Sequence, residues 1–154
     1  MAISNTLKHY LDHSGIAYET VEHPFSTSSQ KTAEVAHVSG QRLAKGVLLY
    51  DGQGYLLAVL PSPLHIDIDE LNEMLNRNLD LVDEEEIAQL FPDCEPGAIP
   101  PIGEPFKLEV VLDIHLCEEP DIYFEGGDHV DLVRVGGTDF QTLLKGAEQL
   151  CFAG

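Results

Sequence analysis

The stretch LAKGVLLYDGQGYLLAVLP, Leu43 to Pro61, constrains the fold most, because two runs rich in Val, Leu and Tyr flank the turn residues DGQG. Such a pair reads as a β-hairpin, with strands expected over Ala44–Tyr50 and Tyr55–Leu60. Upstream, Leu7, Tyr10 and Leu11 fall at helical spacing between a capping Ser4 and a terminating Gly15, which predicts a helix over Asn5–Ser14. A weakly alternating strand over Ala17–Glu22, a polar loop over His23–Ser29 and a helix over Lys31–Val38 ended by Gly40 follow.

Downstream, Asp67 with Glu70 approximates a capping box for a third helix, and Asp83 begins a short one, DEEEIAQLF, stopped by Pro92. The acidic run Asp83–Glu86 suits a helix start, where negative charge is favoured. Strands are expected over Leu108–Asp113, Ile122–Glu125 and Val130–Val135, then a helix capped by Thr138 over Asp139–Leu150. Successive strands joined by short turns make the class α+β with a mainly antiparallel sheet.

The segment DCEPGAIPPIG, Asp93 to Gly103, interrupts this pattern with three prolines and two glycines. It cannot continue a helix or sit inside a ladder, so it is a loop of fixed shape. The length of 154 residues fits one domain. No apolar run approaches a bilayer span, and the N-terminus lacks a basic region followed by an apolar stretch. A soluble, cytoplasmic protein with no membrane partner is expected. A net charge of −19 opposes non-specific adhesion to nucleic acid or anionic lipid.

Candidate chemistry is sparse. Cys94, Cys117 and Cys151 form no CxxC, which argues against a disulfide framework or structural zinc. His9 and His13 at i, i+4 lack a third ligand, and the Asp113/His115 alternation is common without metal, so no metal is expected. A nucleophilic Cys94 is disfavoured by Asp93 and Glu95, whose charge opposes a thiolate. The chain has no GxSxG elbow, Walker loop or GxGxxG after a strand. Lys45 stands out, a rare base opening a very apolar strand, either snorkelling or functional. His129, after a GG pair at a strand start, is either a turn residue or part of a site.

The ordered set YLDHSGIAYETVEHP, KTAEVAHVSG, LAKGVLLYDGQGYLLAVLP, IDIDELNEML, EPGAIPPIG and EGGDHVDLVRVGGTDFQTLL resembles the YbaK and prolyl-tRNA synthetase-associated domain family, in stand-alone form and nearly end to end. The resemblance implies a single domain over residues 1–154, with a mainly antiparallel or mixed curved sheet surrounded by helices. It implies hydrolysis in trans of the ester joining a wrong amino acid to a tRNA, without metal or cofactor. In that family the substrate's own ribose hydroxyl is thought to assist the attacking water. By the same resemblance Lys45, Gly97 and His129 are catalytic, and Ala98, Ile99, Pro100 and Pro101 of the GxxxP loop bind substrate.

The implied partners are the acceptor end of a mischarged tRNA and a synthetase or other protein. Two alternatives stay open: a silent binding module of the same fold, and a deacylase for a small aminoacyl ester other than tRNA. With only eight Lys and Arg, contact with a tRNA body is expected to be weak. Catalytic efficiency on aminoacyl-tRNA is therefore expected to fall only gently with salt. A slope of log kcat/KM against log[salt] steeper than about −3, signifying several neutralised phosphates, would contradict this.

Overall fold

The computed structural model describes residues 3–25 and 29–154. Helix α1 spans Asn5–Ser14, with Ser4 Oγ accepting from Leu7 N–H and Gly15 closing it in the left-handed conformation. Its buried residues Leu7 and Leu11 are one turn apart, as the spacing demands. Strand β1, Glu19–Glu22, starts later than the expected Ala17. Within the expected loop from His23 to Ser29, residues Ser26, Thr27 and Ser28 lie outside the described residues.

Helix α2, Ser29–Val35, is shorter than expected. It stops before Gly40 because His37 turns left-handed and the Val38 amide reaches back to Ala33. Gly40 instead begins a 3-10 turn leading into β2.

Strands β2, Leu43–Tyr50, and β3, Tyr55–Pro61, form the hairpin. Asp51 holds its turn by accepting from the Gln53 and Gly54 amides, and Arg77 Nε donates to the same carboxylate at 2.8 Å. Helix α3, Ile68–Leu75, begins at Asp67, which accepts from Glu70 N–H. A two-residue strand β4, Asp80–Leu81, then precedes α4, Glu84–Leu90, capped by Asp83. Nothing in its sequence announced β4.

Strands β5, Glu109–Asp113, β6, Asp121–Glu125, and β7, Asp131–Gly136, fall close to their expected places. Helix α5 differs: it spans Gly137–Leu143, with Gly136 rather than Thr138 at the cap. The expected helical tail turns at Lys145–Gly146 and becomes β8, Glu148–Leu150. Left-handed backbone at two successive residues cannot continue a helix.

The sheet is mixed, in the order β1-β7-β6-β2-β3-β5-β8, with β4 also on β2. Pairs β1/β7, β2/β3, β2/β4 and β6/β7 are antiparallel, and β2/β6, β3/β5 and β5/β8 are parallel. The α+β class holds. Central β3 buries both faces: Leu57 and Val59 join the core with α1 and α5, while Leu56, Ala58 and Leu60 join that with α3 and Phe152. Among the described residues no helix is long and apolar enough to cross a membrane.

Asp113 fastens the last segment. Fully buried, it accepts from the Phe152 and Ala153 amides with Oδ2, and from the His115 amide and ring with Oδ1. His115 lies in a 3-10 turn rather than on the strand, so the two side chains do not form a strand-face pair. Replacing Asp113 by Ala is expected to lower stability by about 2–4 kcal/mol, since buried amides lose their acceptor. Urea denaturation checks this, and a loss under about 0.5 kcal/mol, the size of an ordinary surface change, would contradict it.

Candidate active site

Strand β2 pairs on one edge with β6 through Leu43 and Ala44 and with β4 through Leu49 and Tyr50. Between them, Lys45 to Leu48 have no strand partner on that edge among the described residues. A cavity of about 310 Å³ opens at this gap, lined by Lys45 to Leu48, by Val82 and Ile87 from around α4, by Gly97 and Ile99 of the proline-rich loop, and by Glu125.

Lys45 is half-buried, its Nζ donating to the Ser62 carbonyl at 3.0 Å, and burial holds its pKa below the usual lysine value. The expected site residues Lys45, Gly97 and Ile99 thus meet at one cavity. Ala98, Pro100 and Pro101 are buried behind that wall. Pro101 packs on β2: a methyl on Gly46 would lie 3.3 Å from its Cα.

Glu95 to Ala98 form a type II turn, with the Ala98 amide donating to the Glu95 carbonyl and Gly97 at φ 80°. That conformation calls for glycine, and the preceding Pro96 suits the turn's first central position. Among the described residues the Gly97 N–H finds no acceptor. Three bonds hold the loop from outside: Asp93 accepts from Thr6 N–H, Glu95 N–H donates to Gly127 O, and His129 Nε2–H donates to the Pro96 carbonyl.

His129 is buried at φ 62° and is not among the cavity-lining residues. Its reach is indirect. The Pro96 carbonyl and the Gly97 N–H belong to one trans peptide and point in opposite directions. A donor on the carbonyl therefore turns that N–H away from His129.

Asp93 serves the first turn of α1, and its pKa is lowered: burial pushes it up, but hydrogen bonds from Thr6 and Ser4 outweigh this. The Cys94 thiol is pushed up to about 12, chiefly by burial, which suits packing and not nucleophilic attack. His9 and His13 pack their rings in a tilted arrangement on the exposed face of α1, centroids 4.0 Å apart, remote in sequence from every residue of the cavity.

Glu125 was not foreseen. It ends β6, one position beyond the Ala44–Phe124 pair, so it lies beside Lys45. It is 8 % exposed; Thr32 Oγ1 donates to its Oε1 at 3.3 Å, and among the described residues Oε2 has no partner. Burial, helped by the charges of Asp128 and Asp131, raises its pKa to about 7. Asp128 accepts from the Val130 and Asp131 amides and fixes the β6–β7 turn. Asp131 is raised, first by the hydrogen bond it shares with Asp128 and then by burial. In sequence Glu125 is the last residue of the expected strand Ile122–Glu125, before Gly-Gly, and carries no role there; its place on the Tyr123 side of β6 was the only signal.

The described chain superposes on solved structures at low sequence identity. One is the hypothetical protein APE2540, with a TM-score of 0.86, 18% identity and coverage of 97% of this chain and 100% of that one. Another is a candidate trans-editing enzyme for prolyl tRNA synthetase, with a TM-score of 0.84, 21% identity and coverage of 97% and 95%. At those identities the likeness shows the fold.

In sequence, 103 residues are 34% identical to the proline–tRNA ligase of Desulfitobacterium hafniense, covering 65% of this chain but only 18% of that protein. Residues 23–143 match the aminoacyl-tRNA editing domain model. The chain belongs to that family.

Glu125 has a stability signature. Its folded pKa of about 7 lies above the ordinary 4.5, so its contribution is complete below pH 4.5 and is lost as pH rises through 7. Glu125→Gln is expected to match wild type near pH 4 and to exceed it at pH 8 by roughly 2–3 kcal/mol. Denaturation at the two pH values checks this, and a pH-independent difference would contradict it.

Proposed function

We propose that this chain is a trans-acting deacylase that hydrolyses the ester linking a wrong amino acid to the acceptor end of a tRNA. The observation that carries the reading is that Lys45 and Gly97, from segments far apart in sequence, line one cavity. Membership of the editing-domain family supports the substrate class.

The chemistry follows from the groups present. Water attacking the ester carbon creates an oxyanion, and the unpartnered Gly97 N–H is the donor for it. Lys45, with its ammonium at the edge of an apolar wall, supplies positive charge to the terminal phosphate or the developing oxyanion. Ile99, Val82 and Ile87 receive the amino-acid side chain, and Ala98, Pro100 and Pro101 keep the loop from relaxing when charge develops. His129 is a positioning residue: it fixes the peptide whose far end is the Gly97 N–H. The ribose hydroxyl beside the ester assists the water, as the family resemblance implies.

The surface charge favours a short contact with tRNA. Lys8, Arg42, Arg77, Arg134 and Lys145 are each engaged with carboxylates of the chain itself. Contact confined to the acceptor end, with a synthetase or other protein supplying the mischarged tRNA, fits that pattern.

Lys45→Ala is expected to lower kcat/KM for release of amino acid from mischarged tRNA by roughly 10²–10³-fold, the scale of one lost electrostatic contact at a reacting oxygen. His129→Ala is expected to lower kcat by about 10²-fold with KM little moved, because the N–H it aims acts in the transition state. A panel of alanyl, seryl, cysteinyl and prolyl tRNAs, with thermal melts of each variant, checks both. Full activity of Lys45→Ala would remove Lys45 from the site, and wild-type inactivity across the panel would favour a binding module.

A further inference from the structure

The cavity has one acidic group on its inner wall that the deacylation chemistry does not use. Glu125 leaves β6 on the side where Lys45 leaves β2, since paired residues of adjacent strands share a face. Its Oε1 is held by Thr32 from α2, which fixes the carboxyl. Its Oε2 is buried and has no donor among the described residues, while the residue itself lines the cavity.

Lys45 does not neutralise it, for Nζ is bonded to the Ser62 carbonyl, and among the described residues Lys45 makes no ion pair. Among the described residues the charges that act on Glu125 are those of Asp128 and Asp131, both acids, and the exposed Glu84 lies at the α4 side of the cavity. An acid buried without a cation is unfavourable, and here it lines the cavity. The remaining lining around it, including Ala44, Val47 and Leu48, offers no hydrogen-bonding side chain.

We propose that Glu125 is the subsite for the substrate's α-ammonium group, which limits the cavity to aminoacyl groups carrying a free amine. The ammonium supplies the missing donor to Oε2 and the missing positive charge. It is bonded to the carbon next to the ester carbonyl, so its capture beside Lys45 holds that carbonyl near the Gly97 N–H. Asp93 and Glu95 are not alternatives, because Asp93 serves the start of α1 and neither residue lines the cavity. The assignment rests on the deacylase reading for its substrate, but its test requires no turnover.

The probes are two non-hydrolysable amides, 3′-deoxy-3′-alanylamino-adenosine and its lactyl counterpart, in which a hydroxyl replaces the ammonium at equal size. Calorimetric titration of the full chain at pH 7.5 is expected to show preference for the alanyl compound by roughly 10- to 100-fold, the scale of a charge-assisted hydrogen bond. Glu125→Gln, with its fold checked by thermal melt, is expected to reduce that preference to about threefold or less.

No binding of the alanyl compound by wild type, equal affinity for the two compounds, or a preference that survives in Glu125→Gln would each overturn the assignment. Hydrolysis of alanyl-tRNA and lactyl-tRNA, measured alongside, separates the two ideas. Equal loss on both esters in Glu125→Gln would overturn the ammonium subsite and place the carboxylate in the reaction. A Glu125-dependent preference without any turnover would sustain the subsite and sink the deacylase reading.

Discussion

Strand β2 has two neighbours along one edge, and neither covers its middle. β6 pairs with its first two residues and β4 with its last two, so Lys45 to Leu48 face a space that the ladder does not fill. A sheet usually closes such a gap with another strand or covers it. Here the cover is a loop rich in proline, which cannot complete a ladder because its prolines withhold donors. The cavity is thus a property of the pairing pattern, and every residue assigned to the site is either on that edge or brought to it.

What brings the loop there is the turn EGGDHVD between β6 and β7. Asp128 fixes its backbone, Gly126 O accepts from the Ser4 amide, and Gly127 O accepts from Glu95. A Cβ on Gly126 would lie 2.4 Å from Ile3, so the start of α1 closes over this turn only because glycine stands there. One turn therefore sets the first helix, the loop and the end of β6 against one another. It also concentrates three buried acids, two of which, Glu125 and Asp131, are held above the usual carboxylate range and so disfavour the fold at neutral pH in the same place where the cavity needs charge.

The hairpin, α1, α3 and α4 were legible because their signals are local: Asp51 with two glycines, Ser4 and Gly15 as caps, Asp67 and Asp83 before their helices. β4 and β8 were not, because two- or three-residue strands carry no period and exist only where a neighbour offers an edge. Lys45 showed itself as a charge in an apolar run and the loop by its prolines. Glu125 was hidden since its burial comes from α2 and β7, which a reading of DIYFEGG cannot see. The resemblance marks His129 as catalytic, but its bond to Pro96 emerges only when the turn and the loop are folded together.

The bonds that assemble the cavity span long stretches of chain. Thr6 reaches across 87 residues to Asp93, and Thr32 across 93 to Glu125. Closing loops of that length adds little to the equilibrium cost, because the entropy grows only with the logarithm of length, but it slows folding. The hairpin with Lys45 can form early from neighbours, whereas the wall opposite it awaits β6 and the turn after it. On the ribosome, an unfinished chain that has already exposed Lys45 still lacks the acid, the histidine and the loop's anchors. The site comes into being late, as one of the last events of folding.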